Sequence, residues 1–332
     1  MSDRQEERGS NPTGDTVLGD QAWRREGVYG RHFEPTYGGA TSFLRRPYSA
    51  DLTAADIAVV GVPFDSAVTY RPGCRLGPRA IRAASVQLAE LKAFPFGIDP
   101  FDTLAVVDHG DIVLNPHDPM TVETDIYHAA KQVIESQTKM LSLGGDHFIA
   151  YPLLKAHAEA YGPVALLQFD AHCDTWPAAG ALDHGTMFLR AVEEGLIDVS
   201  RSLQVGLRTH NDLDVGIKAI TAPEVHQRGV EDVCAEIQDH IGGARTYVSF
   251  DIDVLDPAFA PGTGTPVSGG LASWQALSLV RSLGALDMVG FDLVEVSPPF
   301  DHAEITAIAA ATIAHDWLAV MAIKAQEEQA KP

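Results

Sequence analysis

The chain of 332 residues is poor in positive charge and in cysteine. Lys and Arg number 24 against 45 Asp and Glu, a formal net charge of -21. Nucleic acid and anionic lipid are bound mainly through Lys and Arg, so neither is expected as a partner. Cationic small molecules and metal ions remain compatible with such a surface, although most of the acid is expected to be solvated. Cys74, Cys173 and Cys234 form no CxxC pair. They suggest neither a disulfide framework nor a zinc knuckle, and read as reduced thiols. The first residues, MSDRQEERGSNPTGD, lack the basic-then-apolar order of a secretory leader. No apolar run approaches the roughly 18 to 20 residues of a membrane span, so the expectation is a soluble cytoplasmic protein.

What the chain does contain is an alternation of two patterns. Short runs rich in Val, Ile, Leu and Ala read as buried parallel strands at 57–63, 104–110, 140–145, 164–172, 202–208, 246–253 and 287–296. Between them lie stretches of helical spacing, among them 79–94 after Gly77-Pro78, 120–137, 272–284 and a long final one over 302–328. Strand, helix, strand at this rhythm predicts an α/β fold, three layers α/β/α around a mostly parallel sheet. Residues 1–35 read as a polar N-terminal arm and 36–332 as a single catalytic domain.

Ligands of such sheets bind beyond the carboxyl ends of the strands. Three strands end in reactive residues: "MLSL" runs into GGDH (144–147), "VALLQF" into DAHCD (170–174), and "TYVSF" into DID (251–253). Strand alternation predicts one shared face for Asp170, His172 and Asp174, and one for Asp251 and Asp253. With His147 this gives two imidazoles and four carboxylates at one sheet edge. Acids so close in a poorly solvated cleft do not all stay ionised unless cations neutralise them. The oxygen-rich donor set with some nitrogen suits Mn(II), with Fe, Co, Ni or Zn as alternatives. Six ligands suit two ions about 3.5–4 Å apart with a water between them. Asp256 reads as a turn residue, and Cys173 as a core residue facing away from its ligand neighbours.

The three motifs in this order, GGDH, DAHCD and SFDIDVLDPAFAPGTGTPVSGGL, resemble those of the ureohydrolases (arginase, agmatinase and relatives) from about residue 40 to 325. The resemblance implies hydrolysis of a guanidino compound to urea and an amine, with two Mn2+ per subunit and Ni2+ as the alternative. It assigns His147, Asp170, Asp174 and Asp251 to one ion and His172, Asp170, Asp251 and Asp253 to the other. It also implies that Glu295 anchors the guanidinium, that His184 moves protons, that Asp174 contacts the reacting amino group, and that the chain forms a trimer or hexamer.

DHGTMF and DPAFAPGTGTP look more like agmatinase than arginase, and TWPAAGALDHG offers no cationic side chain before His184 to receive a carboxylate. A small cationic guanidino substrate, agmatine first, is therefore expected. Guanidinobutyrate or guanidinopropionate, held by Arg71 or Arg75, remain open, as do guanidine and small alkylguanidines. Tyr70, Arg71, Trp176 and His109 are the candidate residues at the mouth. At least two of Arg71, Arg75 and Arg79 are expected to be structural cations that pair with acids at a subunit interface. A single-zinc deacetylase-like amidohydrolase and a non-catalytic homologue are the rival classes.

Overall fold

The computed structural model describes residues 36–39, 41–115, 117–177 and 183–330; the arm expected over 1–35 lies outside them. Eight strands form the sheet: β1 (Ile57–Val62), β2 (Val106–Asp111), β3 (Lys139–Gly144), β4 (Ala165–Phe169), β5 (Leu203–Leu207), β6 (Lys218–Thr221), β7 (Arg245–Asp251) and β8 (Asp287–Val294). Their order is β2-β1-β3-β8-β7-β4-β5-β6, and every pairing is parallel, one step beyond the mostly parallel sheet expected. Seven of these strands match the apolar runs. The eighth, β6, has the sequence KAIT, too short and polar to register as one.

Alternate residues of each strand face opposite cores, as the two-residue period of a strand requires. Ile57 and Val59 of β1 join Ala165, Leu167 and Phe169 of β4 in one core. Ala58, Val60 and Val62 join Leu166 in the other. Helices α1 (Gly77–Ser85), α5 (Ala222–Arg228), α6 (Val230–Ile241), α7 (Ser273–Arg281) and α8 (Ile305–Gln329) cover the first face. Helices α2 (Val122–Glu135), α3 (Ala150–Tyr161) and α4 (Met187–Glu193) cover the second.

Helix α8 corrects one expectation. Its apolar residues are interspersed with His315 and Asp316, so no unbroken apolar run stands out, yet it is long and apolar enough to cross a membrane, with a mean hydropathy of 1.5. It is a core helix, because 78% of that window is buried in the protein. Trp317 packs on Phe291 of β8 with ring centroids 5.1 Å apart.

The strand ends are fixed by close backbone approach. A side chain at Gly145 would meet the carbonyl oxygens of Val62 and Phe64 at 2.4 and 2.5 Å, so only glycine lets the chain leave β3 here. Asp146 then ties the turn down: Oδ1 accepts the Phe148 N–H (2.9 Å) and Oδ2 the Ala67 N–H (3.0 Å). The result is a rigid shelf at the carboxyl end of β3, from which His147 projects.

Candidate metal centre

The three motifs leave β3, β7 and β4, and Glu295 leaves β8. These four strands are consecutive neighbours at the centre of the sheet. His147 Nδ1 lies 3.1 Å from Asp170 Oδ2, 2.9 Å from Asp174 Oδ2 and 3.3 Å from Asp251 Oδ2. His172 Nδ1 lies 3.3 Å from Asp170 Oδ1 and 3.1 Å from Asp253 Oδ2. Asp170 therefore turns one oxygen to each imidazole, as a ligand shared by two sites would. Asp251 presents Oδ2 to the first set and uses Oδ1 to accept the Asp253 N–H at 2.7 Å.

Strand alternation is not what brings these acids together. Strand β4 stops at Phe169, and Asp174 takes a left-handed backbone (φ 52°) that swings its carboxylate back toward His147. Asp253 sits in a short 3-10 turn, Ile252–Val254, begun by the Asp251 carboxylate. Turn chemistry, with short carboxylates accepting nearby backbone N–H groups, replaces the extended face expected.

Burial makes this arrangement electrostatically costly. It raises the pKa of Asp251 well above the usual carboxylate range, with the charges of Asp253 and Asp170 adding to the effect. Burial and Asp170 together raise Asp174 to about 7. Burial would lower the pKa of His172, yet Asp253 and Asp170 lift it to about 12. The cluster thus demands positive charge beyond what the polypeptide supplies, and divalent cations would meet that demand. The nitrogen of His147 is prepared for one. Ser249 Oγ donates to Asp292 Oδ1 (2.7 Å), so it accepts from His147 Nε2–H (2.7 Å) and leaves the Nδ1 lone pair facing the acids. That buried Nδ1 is surrounded by carboxylate oxygens of Asp170, Asp174 and Asp251 without a well-aligned hydrogen bond to any of them, which fits a metal ligand.

Several supporting residues carried no signal in the sequence. Tyr247 donates to Asp292 Oδ2 (2.6 Å), completing a chain Tyr247–Asp292–Ser249–His147. Gln168 donates to Asp170 Oδ2 (2.8 Å) and is itself held by Gln204 (2.6 Å). Each is a polar group inside an otherwise apolar strand, and the need for a partner is the one signal that would have pointed to it.

Glu295 has a left-handed backbone (φ 65°), and its buried carboxylate lies between His147 and His184. Its Oε1 accepts the His147 N–H (2.8 Å) and pairs with His184 Nδ1 (3.0 Å), while its buried Oε2 has no partner. On the other side of His184, Nε2 accepts the Thr69 N–H at 3.0 Å and lies 2.8 Å from the Thr69 hydroxyl. Burial lowers the pKa of this imidazole, but the Glu295 carboxylate more than compensates and raises it to about 9.

His147, His172, Asp174, Asp251 and His184 line a cavity of about 390 Å³ whose wall also includes Trp176, Thr69 and Thr265. Trp176 lies against His172, with ring centroids 6.2 Å apart. The other mouth candidates are placed elsewhere. Tyr70 is two-thirds exposed, and Arg71 sits between its ring and that of Phe300, 5.1 Å from each centroid. Arg75 is paired with Asp65. His109 corrects the sequence reading: it lies on the edge strand β2 and lines a separate cavity of about 330 Å³ with Asp111 and His128. Cys173 is buried, with its Sγ 3.3 Å from Asn211 Nδ2. Asp256 shapes its loop by accepting the N–H groups of Ala258, Gly269 and Gly270.

The sequence model of the Arginase family matches residues 55–319. The chain is 57% identical over 308 residues to an agmatinase of Chromobacterium violaceum, covering 92% of this chain and 96% of that one. Among solved structures, a hypothetical agmatinase from Burkholderia thailandensis superposes with a TM-score of 0.93 at 52% identity, covering 95% of this chain and all of that one. The proclavaminate amidino hydrolase of Streptomyces clavuligerus superposes with a TM-score of 0.82 at 40% identity, covering 87% and 99%.

Proposed function

Because the chain belongs to the arginase family, we propose that it is a binuclear-metal hydrolase that cleaves agmatine to urea and 1,4-diaminobutane. The observation that carries this reading is Glu295 Oε2, a buried carboxylate oxygen without a partner beside the two donor sets. A guanidinium N–H is the donor it lacks, and the charge-assisted bond would fix the guanidinium carbon against the acids.

His147, Asp170, Asp174 and Asp251 would hold one ion, and His172, Asp170, Asp253 and Asp251 the other. The donor types favour Mn2+, with Ni2+ the alternative. When bound, the metal pair supplies a water acidic enough to attack at neutral pH. The remaining work falls to the chain's own residues. Glu295 orients the guanidinium, and Asp174 accepts a hydrogen bond from the amino group of the tetrahedral adduct. Water adds to the guanidinium carbon, the bond to the alkyl nitrogen breaks, and that nitrogen leaves as an amine once it has been protonated. His184 is placed to supply the proton: Glu295 steadies its Nδ1–H, and when Nε2 is protonated it gives up the Thr69 N–H and has the Thr69 hydroxyl within reach as acceptor.

The test is urea release by Mn- and Ni-loaded protein from agmatine, arginine, guanidinobutyrate, guanidinopropionate, guanidine and methylated guanidines, with Asp253→Ala as the control. Agmatine is expected to give urea, and the control none. Urea from a different guanidine would reassign the substrate. No urea from any compound, with metals bound, would contradict guanidine hydrolysis. The same reading carries a cytoplasmic location, a domain spanning 36–332 behind a polar arm, and a trimer or hexamer, the last measurable by light scattering.

A further inference from the structure

The cavity that holds the donor sets is lopsided in charge. Among the described residues its wall contains no Lys or Arg, and its one carboxylate outside the metal-ligating acids is Asp183, the residue before His184. The chain between Pro177 and Asp183 reads Ala-Ala-Gly-Ala-Leu, so it adds no ionisable group there.

Asp183 is also held in a defined posture. Its Oδ1 accepts the Gly185 N–H at 2.9 Å, and its own N–H reaches Thr186 Oγ1 at 3.1 Å. Its Oδ2 has no hydrogen-bond partner among the described residues. Trp176 is tied to the same turn, its backbone N–H donating to the Gly185 carbonyl at 3.1 Å. A Cβ built on Gly185 would lie 3.4 Å from the Trp176 ring and 3.5 Å from Asp183 Oδ1. The bare glycine therefore leaves a space bounded by an indole and a carboxylate, one residue beyond the histidine that touches Glu295. An ammonium ion in that space meets an aromatic ring and the Asp183 carboxylate, whose Oδ1 borders it and whose Oδ2 carries no other hydrogen bond among the described residues.

The geometry points to Asp183 as the specificity-determining residue for the substrate's distal cation: with Glu295 holding the guanidinium, Asp183 receives the ammonium at the other end, with Trp176 beside it. This rests on the guanidine-hydrolase reading and narrows it to dicationic substrates. A carboxylate tail would face Asp183 with no compensating cation on the described wall, which disfavours guanidinobutyrate and guanidinopropionate.

The test compares agmatine with butylguanidine, which carries a hydrogen atom in place of the ammonium. Asp183→Asn retains an oxygen to accept the Gly185 N–H and removes only the charge. The expected result is a fall of roughly tenfold or more in the agmatine-to-butylguanidine ratio of kcat/KM, carried mainly by the KM for agmatine, and recovery of the ratio in Asp183→Glu. An unchanged ratio in Asp183→Asn would overturn the assignment, whatever happens to the two absolute rates. Calorimetric binding of 1,4-diaminobutane and of butylamine to the metal-loaded proteins gives a second readout that needs no turnover. Loss of the diamine preference in Asp183→Asn supports the assignment, and its retention contradicts it. If wild-type protein releases no urea from either guanidine, the proposed activity fails, while the binding comparison still decides the role of Asp183.

Discussion

Ser249 determines which nitrogen of His147 faces the acids. Its hydroxyl, spent on Asp292, has to accept the His147 Nε2–H. Groups that hold a metal-ligating histidine typically affect affinity by about 10–100-fold. Ser249→Ala is therefore expected to weaken metal binding by about tenfold or more while leaving all six ligands in place, as measured by metal titration. Unchanged affinity would show that packing alone, including the edge contact of His147 with Phe188, fixes the ring. At this scale the ligands were legible because His and Asp at the ends of apolar strands are conspicuous. Ser249, Asp292 and Gln168 were not, because a single polar residue inside a strand gives no hint of its partner until the neighbouring strand is known. The conformation of Asp174 was also hidden, since nothing in its sequence requires a positive φ.

Elements carry the site because neighbouring strands end together, and the sequence shows strand ends without showing strand order. His109 illustrates the difference. It closes an apolar run much as the metal ligands do, yet β2 lies at the sheet edge, with β1 between it and β3. The packing of α3 on the sheet has its own consequence for pH. His157 on α3 is buried beside Tyr247, with Nδ1–H donating to the Leu153 carbonyl at 2.7 Å. Burial lowers its pKa from 6.5 to about 4. The folded state thus keeps His157 neutral where the unfolded chain would protonate it. Its contribution is complete above pH 6.5 and is lost as pH falls toward 4, a change on the order of 3 kcal/mol. His157→Gln is expected to flatten the pH dependence of unfolding free energy between pH 6.5 and 4, as followed by denaturant titration. An unchanged slope would mean that the ring titrates normally in the folded protein.

At the scale of the whole molecule, the excess of 21 negative charges and the acid-lined cavity favour the same class of ligand, small cations. The centre of the sheet places acids around the spot where, in the proposed reaction, a guanidinium would react. Acids at the end of β7 make sense only in this assembly: Asp251 and Asp253 form one wall, and the chain ends of β3, β4 and β8 supply the others. The central claim is that this assembly works as a pair of metal sites. It is tested most directly by following urea release from agmatine against the number of Mn2+ ions bound per chain. The account predicts a rate that rises to a plateau at two ions per chain. A plateau at one ion, or two bound ions with no urea from agmatine, would contradict it.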